Sequence, residues 1–128
     1  MDVAAWAEMY RKAWEERDAD AAAALFTEDS EYRTHPFLEP NRGRSGVHAY
    51  WAEVTSTQAN VTVRMGKPFV DGDRAAVEFW TTMENGGAEV TLTGCLLLRF
   101  DQAGLCSALR EYWFFEEGIK PPHSGWGE

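Results

Sequence analysis

The spacing of apolar residues in this 128-residue chain changes once, near residue 60, and that change limits the fold more than any single motif. Before it, large apolar side chains recur every three or four residues, the repeat of a helix with one buried face. After it they alternate, the repeat of a half-buried strand. Helices first and strands afterwards, with no return to the helical repeat, imply an α+β domain. Its helices pack on one face of an antiparallel sheet, not in alternation with parallel strands.

Asp2 is placed to cap a helix over 3–17, with Val3, Trp6, Tyr10, Ala13 and Trp14 on one stripe. Asp18 caps a second, which carries Ala21, Ala22, Leu25 and Phe26 and ends at Thr27-Glu28-Asp29. Ser30 to His35 reads as a short strand stopped by Pro36, and Ser45 caps a third helix presenting Val47, Tyr50, Trp51 and Val54. Four strands follow over 60–70, 74–85, 88–100 and 105–116. They are joined at Asp71-Gly72-Asp73, Gly86-Gly87 and Asp101-Gln102-Ala103-Gly104, all hairpin chemistry. No linker or repeat interrupts the chain, and its length suits a single domain over 1–128. Residues 121–128 are rich in Pro and Gly and are expected to form a loosely ordered tail, with Trp126 its one candidate anchor.

Turn length sets register, and register sets faces. A two-residue Gly86-Gly87 loop pairs Met83 with Val90, Thr81 with Leu92, Phe79 with Gly94 and Val77 with Leu96. A four-residue loop after Phe100 pairs Leu92 with Trp113, Gly94 with Glu111 and Leu96 with Leu109. One face then holds Val77, Phe79, Met83, Val90, Leu92, Leu96, Leu109, Glu111, Trp113 and Phe115, and it must lie under the helices. The other holds Trp80, Leu97, Tyr112 and Phe114 with no helix left to cover them. Such a patch is expected to form a homodimer interface. Cys95 and Cys106 fall on this hairpin roughly 13 Å apart, too far for a disulfide.

Charge excludes several roles. The formal net charge of −9 repels phosphate backbones and anionic lipid, so no nucleic-acid and no membrane partner is expected. The N-terminal residues lack the basic start and apolar run of a signal peptide, and no stretch is long and apolar enough to span a bilayer. Two reduced cysteines suit the cytoplasm. No metal spacing and no phosphate-binding glycine motif occur, so neither a metal nor a cofactor is expected.

The order of these elements resembles the SnoaL-like branch of the nuclear transport factor 2-like superfamily. The resemblance rests on Tyr10, on Asp18-Ala19-Asp20 leading into Ala24-Leu25-Phe26-Thr27-Glu28-Asp29, and on His35-Pro36. It continues through Gly46-Val47, Tyr50-Trp51, Arg99-Phe100, Gly104 and Glu111-Tyr112-Trp113. It implies a cone, in which a curved antiparallel sheet wraps three N-terminal helices and encloses a cavity, and a dimer through the outer sheet face. It fixes no activity, because the fold carries isomerases, cyclases, hydrolases and non-catalytic binding domains.

Three residues are candidates for chemistry. Glu111 falls on the covered face among apolar side chains, where desolvation raises a carboxyl pKa toward neutrality and suits proton transfer. The missing side chain of Gly94 would leave room beside it for a ligand. A bulge turning Glu111 outward, or an arginine partner, is the structural alternative. His35 is a serviceable base at a strand end, or a loop-stabilising residue. Tyr10 matches the tyrosine that polarises a carbonyl oxygen in the ketosteroid isomerases of the superfamily, or it packs in the core. Those isomerases pair that tyrosine with a protonated aspartate, an arrangement whose physics is well described. Leu96 stands at the matching position here, so steroid isomerisation is not implied. Tyr32, Tyr50, Phe79, Met83, Leu96 and Trp113 are expected to line the ligand site. The function so implied is cofactor-free acid–base catalysis on a small hydrophobic carbonyl compound. The alternative is a non-catalytic ligand-binding or dimerisation domain.

Overall fold

The computed structural model describes residues 2–128; Met1, counted in the single domain, lies outside the described residues. Helix α1 spans Val3–Glu15, with the Asp2 carboxylate accepting the Ala5 amide at 3.0 Å as its cap. Its buried stripe is Val3, Trp6, Ala7, Tyr10 and Ala13. The helix stops two residues early because Arg17 takes a positive φ of 53°, and the Asp18 amide returns to the Ala13 carbonyl.

Helix α2 is short, Ala19–Ala23, capped by Asp18. Leu25 and Phe26, expected on its stripe, have left it. The Leu25 carbonyl accepts both the Trp6 indole N–H at 3.1 Å and the Cys106 amide at 2.9 Å. These tertiary bonds draw the chain out of the helix, and strand β1 starts at Phe26 and runs to Arg33. After a two-residue strand β2 (Asn41–Arg42), α3 spans Gly43–Thr55 and buries Val47, Trp51 and Thr55 at four-residue steps. It begins before Ser45, and Arg42 at its N-cap makes no side-chain capping bond.

The remaining strands are β3 (Gln58–Met65), β4 (Phe69–Asp71), β5 (Arg74–Asn85), β6 (Ala88–Phe100) and β7 (Cys106–Glu117). They form one curved sheet in the order β2-β1-β7-β6-β5-β3, with β4 paired to β5. The sheet is mixed, because β1 lies parallel to β7, with Tyr32 opposite Leu109. No tight turn joins these two strands, so nothing local in the sequence announces the pair.

The β5–β6 register agrees with the Gly86-Gly87 turn at every expected pair. The β6–β7 register is displaced by two. The loop closes one residue shorter, with the Asp101 amide on the Leu105 carbonyl, and Ser107 bulges opposite Arg99 and Phe100. Each step shifts the partner by one, and because side chains alternate with period two, the two together keep every residue on its expected face. Glu111 therefore lies opposite Leu96, and Gly94 opposite Trp113.

The helices cover the inner face around Trp6, which stacks on Tyr10 at 5.3 Å and meets Phe26 and Phe100 edge-on. Trp113 and Phe115 share that face but remain about half exposed, beyond the reach of the helices. On the outer face the C-terminal segment folds back over the sheet. Trp126 is buried edge-on against Trp80 and lies under the Arg64 guanidinium at 5.2 Å. The Trp80 indole donates to the Lys120 carbonyl at 2.8 Å, and the Lys67 amide donates to the Gly127 carbonyl at 2.7 Å. Trp80 is thus covered by its own chain, while Tyr112 and Phe114 remain exposed. Among the described residues no helix is long and apolar enough to cross a membrane.

Candidate functional site

A pocket of about 210 Å³ opens between the helices and the inner sheet face. From α1 it is lined by Tyr10 and its neighbour one turn on, Trp14; from β1 by Tyr32; from α3 by Tyr50, Trp51, Val54 and Thr55. The sheet contributes Gln58, Phe79 and Leu92, and then Glu111, Trp113 and Phe115 at alternate positions of β7. Eight of the lining side chains are aromatic, and Glu111 is the only one that ionises near neutral pH.

Glu111 keeps part of its surface open to the pocket. Burial among apolar side chains nonetheless pushes its carboxyl up from 4.5 to about 8, against a smaller downward pull from the Tyr32 hydroxyl. At neutral pH most of it carries its proton. The Tyr10 and Tyr32 hydroxyls are 3.0 Å apart and hydrogen-bonded. Burial, reinforced by the nearby Glu111 charge, raises both phenols well above their usual range, so both stay protonated donors. Tyr50 is raised for the same two reasons. Trp14 donates its indole N–H to the Gln58 side-chain oxygen at 3.0 Å, which fixes that wall. The Trp51 indole N–H is buried with no hydrogen-bond partner. An unpaired buried donor is costly.

Of the residues expected from the sequence, the pocket brings together Glu111, Tyr10, Tyr32, Tyr50, Phe79 and Trp113. Met83 and Leu96 are fully buried and do not line it. His35 is not part of it. The chain turns outward after β1, and the exposed His35 ring accepts the Phe37 amide at Nδ1, 3.2 Å away, and packs on Phe37. Gly94 opens no space beside Glu111: a Cβ there would fall 2.1 Å from the Tyr112 carbonyl oxygen and 2.8 Å from the Trp113 Cα. Glycine is needed because β7 passes that close, not because a ligand does.

Trp14, Trp51 and Gln58 were not singled out from the sequence. Trp14 follows Tyr10 by one helical turn and Trp51 adjoins Tyr50, so their spacing was legible, but it reads equally as core packing. A second hollow, about 430 Å³, lies on the outer face beside Arg74, Arg99 and Arg110, from three strands. Arginine stays charged at all ordinary pH, and Asp71 there is paired with Arg74 at 3.3 Å, so that hollow offers no poised proton-transfer group. Arg33, Arg42 and Arg44, in and after β1, are paired, Arg42 and Arg33 with Glu31 and Arg44 with Glu28. His48 pairs with Asp20 at 2.9 Å, and among the described residues no group of three His, Cys, Asp or Glu could hold a metal ion.

Solved structures share this fold. A protein from Catenulispora acidiphila DSM 44928 with a ketosteroid isomerase-like fold, in complex with trimethylamine, is 22% identical with a TM-score of 0.75, over 84% of this chain and 83% of that one. The epoxide hydrolase/cyclase-like enzyme SalBIII, of pyran ring formation in the polyether salinomycin, is 23% identical with a TM-score of 0.73, over 88% and 93%. A computationally designed 17-OHP binder is 22% identical with a TM-score of 0.72, over 89% and 96%. Comparison with curated proteins finds no match. The SnoaL-like domain model matches residues 6–108, from within α1 through the start of β7. The chain belongs to the SnoaL-like domain family.

Proposed function

We propose that this protein binds a small hydrophobic carbonyl compound in the inner pocket and that Glu111 exchanges a proton with it. The observation that carries this reading is one carboxyl group, poised near pH 8, among eight aromatic side chains and beside a hydrogen-bonded pair of phenols. Such a carboxyl can give a proton at neutral pH and take one back without a cofactor. The Tyr10–Tyr32 pair supplies the hydroxyl that orients the ligand oxygen. The fold neighbours fit a pocket used both by enzymes and by ligand binders.

The test is exchange of α-hydrogens of hydrophobic ketones in D2O, followed by NMR, with binding followed by Trp fluorescence. Wild type should accelerate exchange, increasingly as pH rises through about 8. Glu111→Gln should lose about 100-fold or more in exchange while still binding. Exchange unchanged by that substitution removes Glu111 from the mechanism. Ketone binding without any exchange favours the second reading, a non-catalytic ligand-binding domain.

The outer patch of Leu97, Tyr112 and Phe114 is proposed as the face of a homodimer, with Tyr112 about half and Phe114 mostly exposed. Sedimentation at micromolar concentration should show a dimer that Phe114→Lys dissociates; a wild-type monomer removes the proposal.

A further inference from the structure

The pocket has two chemically different ends. At the buried end lie the Tyr10 and Tyr32 hydroxyls, hydrogen-bonded to each other at 3.0 Å, so this end suits an oxygen atom. At the mouth, Trp113 and Phe115 stand two and four residues beyond Glu111 on the same face of β7. They are 48% and 52% exposed, and neither ring packs against another aromatic among the described residues. About half of each residue is open to solvent at the mouth, and an aromatic ring face attracts positive charge. Among the described residues no Lys, Arg or His lines the pocket. The only charge the site can develop is the negative charge of Glu111, so a carboxylate- or phosphate-bearing ligand would meet repulsion and no partner.

We propose that the ligand carries a cationic nitrogen as well as its carbonyl, held over the exposed rings of Trp113 and Phe115 with the Glu111 carboxylate as counter-charge. This inference rests on the reading of the pocket as a small-molecule site, and it deepens the role of Glu111. A cation beside the carboxyl favours its ionised form, so binding itself releases the proton and leaves the carboxylate that a base requires. The groups facing Glu111 do not oppose this. Tyr10 on α1, Tyr32 on β1 and Tyr50 on α3 are phenols that stay neutral, and Leu96, opposite on β6, does not ionise.

Choline and 3,3-dimethylbutan-1-ol test it, because they share a shape and differ in the positive charge. Titrations at pH 7, read by Trp fluorescence and by calorimetry in buffers of different ionisation enthalpy, should show choline bound about tenfold more tightly. Choline binding should release a proton and the alcohol should not. In Glu111→Gln the ratio between the probes should fall toward one and the proton release should vanish. Trp113→Leu should weaken choline more than the alcohol. The alcohol binding as tightly as choline overturns the cationic nitrogen and leaves the small-molecule pocket standing. Neither probe binding at millimolar concentration, while hydrophobic ketones do bind, overturns it equally. Failure of ketones and of both probes overturns the pocket reading with it.

Discussion

Glu111→Gln is expected to raise thermal stability at pH 9 and to leave it almost unchanged below about pH 4. The carboxyl is raised from 4.5 to about 8 in the folded protein. A raised carboxyl pKa means that the folded state holds the proton more tightly than the unfolded chain does. Its favourable contribution is therefore complete below the unfolded value and is lost as pH rises through about 8. The full displacement carries roughly 5 kcal/mol as an upper bound. Part of Glu111 remains open to the pocket, where water reaches the carboxylate, so a realised loss of about 2–3 kcal/mol between pH 4 and pH 9 is expected. Glutamine keeps the shape and the hydrogen-bonding capacity but never ionises, so its melting temperature should not follow that fall. Unfolding curves of the two proteins at pH 4, 6, 8 and 9 check this. Curves that stay parallel across the range would mean that Glu111 titrates as an ordinary surface carboxyl, and the acid–base reading would lose its basis. Under the proposed function the trade is the usual one: the group assigned to proton exchange costs stability at the pH where it would ionise.

Gly94→Ala should be the most damaging single methyl that can be added to the sheet. The new Cβ would lie 2.1 Å from the Tyr112 carbonyl oxygen and 2.8 Å from the Trp113 Cα and Cβ. Two of these three are backbone atoms of the paired strand, so no side-chain rotation relieves the contact. Strand β7 would have to move away from β6 at the position where Gly94 faces Trp113, midway between pairs that the Glu111 site depends on. A loss of about 3 kcal/mol or more is expected, at the upper end of overpacking effects, with a fall of roughly 10 °C in Tm. Urea denaturation measures it. Gly72→Ala is the control, since a Cβ there meets nothing within 4 Å and only the positive φ of 61° is strained. Its cost should be about 1 kcal/mol. Equal costs for the two would show that β7 does not approach Gly94 this closely.

The same glycine shows where sequence reasoning and structure part company. Its absence of a side chain is visible in the sequence, and so is its place on the inner face of β6. The reason for it is not. A four-residue loop after Phe100 would put Gly94 beside Glu111 and suggest room for a ligand. The tighter Asp101–Leu105 closure and the Ser107 bulge put it beside Trp113 instead. The tight loop is held locally, by the Asp101 carboxylate accepting the Ala103 and Leu105 amides, whereas the bulge exists only in the pairing of β6 with β7. His35 is a similar case. A histidine before a proline at a strand end has the right chemistry, but the direction in which the chain leaves β1 decides whether that chemistry faces the pocket, and it faces solvent.

Period and turn length carry the properties that are legible in the chain before it folds. The switch in apolar spacing specified three helices and a following meander. The Gly86-Gly87 turn specified the β5–β6 register pair by pair, and alternation along β7 put Glu111 on the inner face. That assignment survived a two-residue error in register because side chains repeat every two residues. Contacts between distant segments settled the rest. The Leu25 carbonyl ended the second helix by bonding Trp6 and Cys106, and β1 joined β7 in parallel across most of the chain. Trp126 returned to cover Trp80, and the Trp51 indole was buried beside the pocket without a partner. Local patterns encode which way a side chain points within its own element. Which groups it then meets depends on how the elements close over one another, and here that closure turned an acidic residue in a β-strand into a carboxyl poised near pH 8.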